Sequence, residues 1–255
     1  MRGLGQTAKA LAIAGGIYRP VRWLARRFSA RQRRRLADEV ALYRALVPQG
    51  ALCFDVGANI GEKSEAMLLA GARVVAFEPH PLVLGELGAR CAPWPGWQVV
   101  RAAVGSRSAI ATLHTRAAHG QSSLVEDWEG QATGRVDVPV VTLDAAIERF
   151  GLPHYCKIDV EGWELEVLRG LSHPLPLVSF EFHLGGRGVT DTRACLAVLD
   201  RQGPGEVNVT PAERAAFHWP RWMPLAEFLA WYPGDLPTTL PGNPYGDIYV
   251  RRSIR

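Results

Sequence analysis

The sequence has few cysteines, and those present form no recognisable pattern. Its 255 residues contain four, Cys53, Cys91, Cys156 and Cys195, with no C-x-x-C pair and no histidine at zinc-ligand spacing. Small disulfide-rich scaffolds and structural zinc sites depend on closely spaced cysteines. Both classes are therefore excluded, and we expect four reduced thiols in a cytoplasmic protein.

A long hydrophobic run is also missing. The apolar segment near the N-terminus, residues 10–18, is well below the roughly 20 residues that a membrane-spanning helix needs. No pattern of small residues typical of signal-peptide cleavage follows this segment. We therefore expect neither a membrane span nor a signal peptide.

Acidic residues are absent from the first 37 positions, which hold ten of the 29 lysines and arginines. The whole chain has 25 acidic residues and a net charge of +4, so the part after residue 37 is net acidic. Apolar residues among the arginines predict an amphipathic helix that begins near Pro20, and they are Val21, Leu24, Ala25, Phe28, Leu36 and Val40. We interpret residues 1–45 as a basic helical arm, either packed on the domain or in peripheral contact with the inner face of a membrane. Nucleic acid is the less favoured partner, because no basic and aromatic platform recurs elsewhere.

From residue 51 onward, short apolar segments alternate with helical ones. The predicted strands are 51–56, 73–79, 97–105, 108–116, 135–143, 155–160, 176–183 and 246–252, and the predicted helices are 61–72, 81–92, 144–151, 162–171 and 191–202. Strands that alternate with helices favour a parallel, doubly wound sheet, because crossover connections are right-handed. We therefore expect residues 46–255 to form one α/β domain with a C-terminal extension rich in Trp and Pro.

The segment FDVGANIG, residues 54–61, follows the first predicted strand, where ligands bind in such sheets. It has neither the Lys-Ser or Lys-Thr pair of a P-loop nor the second glycine of a dinucleotide turn, since position 59 is Asn. Asp55 would repel a phosphate but suits a ligand with an ammonium group. Glu78 ends the second predicted strand and can accept hydrogen bonds from both hydroxyls of a ribose, unless it is merely a solvated carboxylate.

S-adenosylmethionine combines the properties that this turn requires. It has a sulfonium cation, an amino acid end and a ribose, and it has no phosphate. Gly57 and Gly61 allow the backbone to approach such a ligand closely. The sequence therefore favours S-adenosylmethionine over a dinucleotide.

The segment KIDVEGWE, residues 157–164, places Lys157, Asp159 and Glu161 at alternate positions of a strand. Charged groups rarely enter a central strand unpaired, so we expect Lys157 to pair with an acid, either at a site or as a structural salt bridge. Glu181 and His183 come from the next predicted strand.

Asp159, His183 and Glu161 are the candidate catalytic residues. Histidine is the favoured general base because the ordinary pKa of an imidazole is about 6.5, although a structural hydrogen bond would also explain His183. Asp159, Glu181 and His183 are also the groups that would converge on Mg²⁺ in a metal-assisted enzyme. No clear ligand spacing supports that set, so we assign no metal.

Seven segments resemble, in order and spacing, the FkbM family of S-adenosylmethionine-dependent methyltransferases: FDVGANIG, AFEPHP, AAVG, SSL, VPVVTLDAAI, KIDVEGWELEVLRG and FEFH. The resemblance extends from about residue 50 to 185. It implies a class I methyltransferase (Rossmann-like) fold with an antiparallel last strand, and methyl transfer to a hydroxyl oxygen of a sugar, glycan or natural product. It also implies the cofactor contacts: Asp55, Gly57, Asn59 and Gly61 line the methionyl and adenosyl turn, Glu78 holds the ribose, and Ala103 and Val104 lie near the adenine.

Two other classes stay open at this point. A NAD-dependent oxidoreductase would share the sheet and the ribose carboxylate, and a noncatalytic cofactor-fold protein would use the basic arm to dock on a membrane or polymer. The identity of the acceptor is expected to depend on residues 116–134 and on the tail. The tail tryptophans, Trp219, Trp222 and Trp231, either stack on a sugar or pack on the core. The sequence does not indicate an oligomeric state.

Overall fold

A computed structural model of the chain describes residues 30–116, 119–128, 131–212, 214–240 and 245–253. Residues 1–29 lie outside this range. Most of the predicted amphipathic helix therefore falls outside the described residues, including Pro20, Val21, Leu24, Ala25 and Phe28.

Strands and helices alternate along the described chain, as the pattern of apolar residues predicts. In chain order the elements are α1 (Ala30–Leu46), β1 (Leu52–Val56), α2 (Glu62–Leu69), β2 (Arg73–Phe77), α3 (Leu84–Cys91), β3 (Trp97–Val100), β4 (Ala103–Val104), β5 (Ala109–Thr115), β6 (Gly134–Val141), α4 (Leu143–Phe150), β7 (Tyr155–Ile158), α5 (Glu164–Arg169), β8 (Leu177–His183), α6 (Gly188–Arg201), β9 (Glu206–Pro211), β10 (Met223–Pro224), α7 (Leu225–Trp231), α8 (Leu236–Thr239) and β11 (Tyr245–Arg251). None of the helices among the described residues combines the length and hydrophobicity that a membrane span requires.

The main sheet has the strand order β10-β9-β11-β8-β7-β1-β2-β3. The five neighbouring strands β8, β7, β1, β2 and β3 pair in parallel, and β11 runs antiparallel to both of its neighbours. The class I methyltransferase fold, a doubly wound, mostly parallel sheet with an antiparallel last strand, is therefore confirmed. Strand order reverses between β1 and β7, which is where ligands bind in open α/β sheets.

The two central strands, β1 and β7, are buried throughout because both faces of the sheet are covered. Every residue of β1 and β7 is buried, which is typical of parallel strands between two layers of helices. Phe54, Val56 and Ile158 belong to the main core. At the other side of the sheet, Tyr43 of α1 packs in a second cluster with Met67 of α2. Whether residues 1–45 form a separate arm stays a prediction.

Residues 97–105 differ from the expected single strand. β3 ends at Val100 in the main sheet, whereas β4 pairs in parallel with β6 in a second, three-stranded sheet, with Ala103 opposite Val140. The prediction of one strand was wrong because a run of apolar residues does not show where a chain changes its pairing partner. The predicted extended segments 108–116 and 135–143 are confirmed as β5 and β6, which pair antiparallel.

The tail tryptophans pack on the protein. Trp219 and Trp231 lie against Phe228 in the main core. The guanidinium carbon of Arg251 lies 4.3 Å from the ring centroid of Trp222. The packing interpretation of these residues is therefore confirmed.

Candidate active site

The turn after β1 contains three residues in the left-handed region. The φ angles are 81° at Gly57, 49° at Asn59 and 81° at Gly61. At Gly57 the requirement is also steric, because a Cβ there would lie 1.8 Å from the backbone oxygen of Asp159. Glycine thus lets the turn after β1 pack directly against the turn after β7.

Asp55 is buried at the base of the β1 turn with half of its carboxylate unpaired. Its Oδ2 accepts a hydrogen bond of 2.5 Å from Ser64 Oγ, while Oδ1 has no hydrogen-bond partner among the described residues. Burial raises the pKa of Asp55, and the nearby ammonium of Lys157 opposes that rise. The side-chain oxygen of Asn59 is likewise buried without a partner in the described chain. Buried acceptors without donors are uncommon, so these two oxygens mark a place for a ligand that donates hydrogen bonds.

Glu78 completes a group of residues, Asp55, Asn59 and Glu78, that we call the donor side of the site because it would hold the methyl donor. Its side chain accepts backbone hydrogen bonds from Asn59 (2.6 Å) and His80 (2.7 Å), and only 5% of the residue is exposed. Burial raises its pKa to about 7. A solvated strand-end carboxylate was the alternative, and this burial excludes it. Each carboxylate oxygen still has a lone pair free to accept a bond from a hydroxyl.

The remaining predicted cofactor residues have packing roles in the structure. A Cβ at Gly61 would lie 2.6 Å from Leu87 Cδ1, so this glycine permits close packing of α3 on the turn. Val104 is buried in the main core, and Ala103 is buried in a small cluster between the strands of the second sheet. Their predicted proximity to an adenine stays a prediction.

On the other side of the β1–β7 boundary, the predicted buried ion pair is confirmed. Lys157 is 2% exposed, and its Nζ donates to Asp159 Oδ2 at 2.6 Å. Although burial alone would lower the pKa of Lys157, the carboxylates of Asp159, Asp247 and Asp55 raise it above its usual value. Burial alone would raise the pKa of Asp159, but the Lys157 ammonium lowers it. Both groups are therefore charged at neutral pH.

Three carboxyl groups meet at this point. Oxygens of Asp159, Glu161 and Glu181 lie within 4.8 Å of one another. Burial, reinforced by the charge of Asp159, raises the pKa of Glu161 to about 9 and that of Glu181 to about 10. These shifts favour the protonated forms of the two glutamates at neutral pH and the ionised form of Asp159. The metal-binding set considered from the sequence was therefore wrong in one member, because it contained His183 in place of Glu161.

His183 lies beside this group and is held by three contacts. Its Nε2 is hydrogen-bonded to Glu181 Oε2 at 3.2 Å, and its ring stacks on Tyr245 at 5.9 Å between centroids. The third contact is an edge-to-face one with Trp128, at 5.2 Å. The structural hydrogen bond that was the alternative for His183 is therefore present, and it engages Nε2.

The turn between β7 and α5 holds Glu161 in an unusual conformation, with φ at 57°. The buried side chain of Glu164 stabilises this turn, because its Oε1 accepts hydrogen bonds from the backbone of Val160 (3.1 Å) and Gly162 (3.2 Å). Glu161 and Gly162 are both in the left-handed region, which the sequence pattern of alternating charges did not indicate. A pocket next to the turn is lined by Trp128, Glu181 and His183 and by the first turns of α6.

Sequence reasoning missed the residues that the β5–β6 loop adds to the site. Trp128 Nε1 donates to Glu161 Oε2 at 2.9 Å, and Ser123 Oγ donates to the backbone oxygen of Glu161 at 2.6 Å. At the base of the loop, the buried guanidinium of Arg116 donates to the backbone oxygens of three other residues, His114, Gln121 and Glu126. The SSL segment was a signal for Ser123, whereas nothing in the sequence singled out Trp128.

Comparisons with known proteins agree with this architecture. Residues 55–203 match the family described as the methyltransferase FkbM domain. The chain is 29% identical over 154 residues to the hexuronic acid methyltransferase AglP of Haloferax volcanii, a match that covers 58% of this chain and 62% of that relative.

Among solved structures, the chain is similar to a precorrin-6Y C5,15-methyltransferase of Geobacter metallireducens, with a TM-score of 0.44, 12% identity, and 84% and 88% of the two chains covered. It is also similar to Aeropyrum pernix fibrillarin in complex with S-adenosylmethionine, with a TM-score of 0.46, 10% identity, and 83% and 72% of the two chains covered.

Proposed function

The chain belongs to the FkbM family of S-adenosylmethionine-dependent methyltransferases, and from this we propose that it methylates a hydroxyl oxygen of a sugar, glycan or natural product. The name of the Haloferax relative supports a sugar as the acceptor. The chain spans 62% of that relative's length, so the relative's own substrate is not transferred unchanged.

The donor side of the site fits S-adenosylmethionine. The unpaired Oδ1 of Asp55 and the unpaired side-chain oxygen of Asn59 suit the ammonium and other N–H donors of that molecule. The carboxylate of Glu78 suits the hydroxyls of a ribose. When bound, this cofactor supplies an electrophilic methyl group on a sulfonium. The protein's remaining task is to align the acceptor hydroxyl and take up its proton.

We assign the role of proton acceptor to Asp159. The observation that supports this role is the 2.6 Å bond from the buried Lys157, which keeps Asp159 ionised between two protonated glutamates. A side chain that is one-third exposed can still meet an incoming hydroxyl. Asp159 also directly follows β7, the neighbour of β1, at the point where strand order reverses.

We assign His183 a positioning role, together with Glu181. His183 Nε2 is already engaged by its 3.2 Å hydrogen bond to Glu181 Oε2, and its ring also contacts Tyr245 and Trp128. Residue type alone favours His183 as the base, whereas its hydrogen bond to Glu181 favours Asp159.

A transfer assay with isotopically labelled S-adenosylmethionine tests the proposal against a panel of sugars, lipid-linked saccharides and macrolide alcohols. With an acceptor identified in this way, we expect Asp159→Asn to lower kcat by about 10²–10⁴-fold, the usual contribution of a general base. The dissociation constant of S-adenosylmethionine should stay within about threefold of the wild-type value, a change far smaller than the expected loss of kcat. His183→Ala should have a smaller effect on kcat.

The exposed Asp137, on β6, provides the matched control as Asp137→Asn. Wild-type turnover in Asp159→Asn would remove Asp159 from the chemistry, and failure of the wild-type protein to bind S-adenosylmethionine would refute the function itself. We expect turnover to survive EDTA. A loss reversed by Mg²⁺ would instead assign a metal to the three carboxyl groups.

We also propose that the basic N-terminal residues bring the enzyme to an anionic membrane surface. The support is the ten basic and no acidic residues among positions 1–37, next to an acidic remainder. Co-sedimentation with vesicles of anionic lipid, compared with vesicles of neutral lipid, tests this proposal. Equal binding to both vesicles, or to neither, would contradict it.

A further inference from the structure

We propose that Trp128 forms the wall of the acceptor site and positions Glu161 beside Asp159. This inference rests on the proposed function and concerns the acceptor side of the same site. We use that name for the group formed by Asp159, Glu161, Glu181, His183 and Trp128. Trp128 contacts three groups of that side at once: Glu161 by a hydrogen bond, Gly162 by packing and His183 by an edge-to-face ring contact.

The packing on Gly162 shows that the position of the indole is closely defined. A Cβ at Gly162 would lie 2.2 Å from Cε3 and 2.4 Å from Cζ3 of Trp128, so the six-membered ring covers the space that any other residue would fill. Gly162 also has a φ of 90°, which disfavours other residues. The turn after β7 is therefore shaped to receive this ring.

The loop that contains Trp128 is anchored independently of the ring. Ser123 donates to the backbone oxygen of Glu161, and the buried Arg116 holds the loop closed through backbone oxygens. Because these anchors remain when the indole is removed, a substitution of Trp128 tests the side chain and not the course of the loop.

Two properties of Trp128 act on the acceptor side in different ways. Its ring lines the pocket together with Glu181 and His183, and an aromatic face next to carboxyl groups suits the C–H face and hydroxyls of a sugar ring. Its N–H fixes the carboxyl group of Glu161, which lies within 4.8 Å of the carboxylate of Asp159. The ring should affect acceptor binding, and the N–H should affect the transfer step.

The variants Trp128→Phe and Trp128→Ala separate these two properties. Phenylalanine keeps an aromatic face and loses the N–H, whereas alanine loses both. Trp222→Ala is the matched control, because Trp222 is another half-buried tryptophan whose ring contacts are with Phe217 and Arg251. Melting temperatures of all variants show whether each one folds.

Binding is measured first, with methyl glucoside and methyl glucuronoside as probes. Saturation-transfer NMR on protein loaded with S-adenosylhomocysteine should detect at least one probe on wild type, Trp128→Phe and Trp222→Ala. For Trp128→Ala we expect about tenfold weaker binding of that probe, the size of a lost aromatic contact. The affinity for S-adenosylhomocysteine, measured by calorimetry, should be unchanged in every variant.

Kinetics then test the positioning role with an acceptor from the panel. We expect Trp128→Phe to lower kcat with little change in KM, and Trp128→Ala to lower kcat and also raise KM. Folded Trp128→Ala that binds the probe and turns over like wild type would overturn the inference, and so would cofactor-loaded wild type that binds neither probe. Wild type that does not bind S-adenosylhomocysteine would refute the proposed function instead.

Discussion

The donor side and the acceptor side of the site are built in opposite ways. On the donor side, Asp55, Asn59 and Glu78 come from one stretch of chain, and the backbone N–H of Asn59 donates to the Glu78 carboxyl group. On the acceptor side, Asp159 and Glu181 come from neighbouring strands, and Trp128 comes from a loop of the second sheet. The comparison teaches that a ligand common to a family can be held by local sequence, whereas a variable acceptor is met by segments that are far apart in the chain.

The two sides also differ in the state of their polar groups. The donor side retains buried oxygens without partners among the described residues, so it is complete only when a hydrogen-bond donor binds. The acceptor side surrounds one ionised carboxylate with protonated ones. Substitutions on the donor side should therefore mainly alter cofactor binding and stability, and those on the acceptor side should mainly alter turnover.

The sharpest way to break this comparison is to disturb the place where the two sides touch. Gly57→Ala would put a Cβ 1.8 Å from the backbone oxygen of Asp159 and force an unfavourable φ of 81° on alanine. We expect a loss of more than about 4 kcal/mol in the free energy of unfolding, the range of severe backbone strain. Urea denaturation followed by circular dichroism measures it.

Gly85→Ala is the matched control for that substitution. Gly85 lies in α3, and a Cβ there has no neighbour within 4 Å. Alanine at this position should change stability by about 1 kcal/mol or less, in the stabilising direction. Equal stabilities for the two alanine variants would mean that the two turns are not in tight contact.

The second test removes the cation of the acceptor side. Lys157→Met should lower the free energy of unfolding by about 3–5 kcal/mol, because it removes a buried ammonium from the neighbouring carboxyl groups of Asp159 and Asp55. It should also raise the pKa of Asp159, which the Lys157 ammonium lowers. In the proposed mechanism turnover requires ionised Asp159 and is lost as the pH falls through that pKa, so the acid limb of the pH–rate profile should move to higher pH.

Lys63→Met is the comparison for this test, since Lys63 pairs with Glu39 at 2.5 Å but is partly exposed. It should cost less stability and move the acid limb of the pH–rate profile less, because the Lys63 charge lowers the pKa of Asp159 less than the Lys157 ammonium does. An unchanged profile in Lys157→Met would show that Lys157 does not control Asp159.

The smallest expected effect concerns the donor side and its pH dependence. Burial raises the pKa of Glu78 to about 7, well above the roughly 4.3 of an unfolded chain. The folded state therefore favours the protonated form. The contribution of Glu78 to stability is complete below pH 4.3 or so and is lost as the pH rises to about 7, for a total of up to about 3 kcal/mol.

Glu78→Gln should flatten the decline of the melting temperature between pH 5 and about 7.5, a window that spans the titration of Glu78. The exposed Glu126 supplies the control as Glu126→Gln, which should leave the slope unchanged. A slope that is the same in all three proteins would assign the pH dependence to other buried carboxyl groups, such as Glu161 and Glu181.

The alternation that builds the main sheet, and the closeness of the turns after β1 and β2, could be predicted from the sequence because both depend on local patterns. Apolar strands alternating with helices predicted the sheet, and the spacing of Asp55, the glycines and Glu78 predicted a turn that the structure brings together. An ion pair of Lys157 with an acid could also be predicted, because a lysine in a central strand needs an acidic partner. Asp159, two residues further along, is that partner.

The acceptor side could not be predicted in the same way. Trp128 and Glu161 are 33 positions apart, and their hydrogen bond depends on how the second sheet packs against the first. The change of sheet at Ala103 was missed for a related reason, because pairing partners are a tertiary property. The preference for His183 as the base came from residue type alone, and it did not include the hydrogen bond that joins His183 Nε2 to Glu181.

The contact between Gly57 and the backbone of Asp159 has a consequence for how such an enzyme can change its specificity. With these turns in direct contact, the spacing between the turn after β1 and Asp159, the proposed proton acceptor, is a property of the scaffold and is fixed before any acceptor arrives. The loop proposed to meet the acceptor, which contains Trp128, connects two strands of the second sheet. Exchange of that segment alone can therefore admit a new molecule while the transfer geometry is inherited intact.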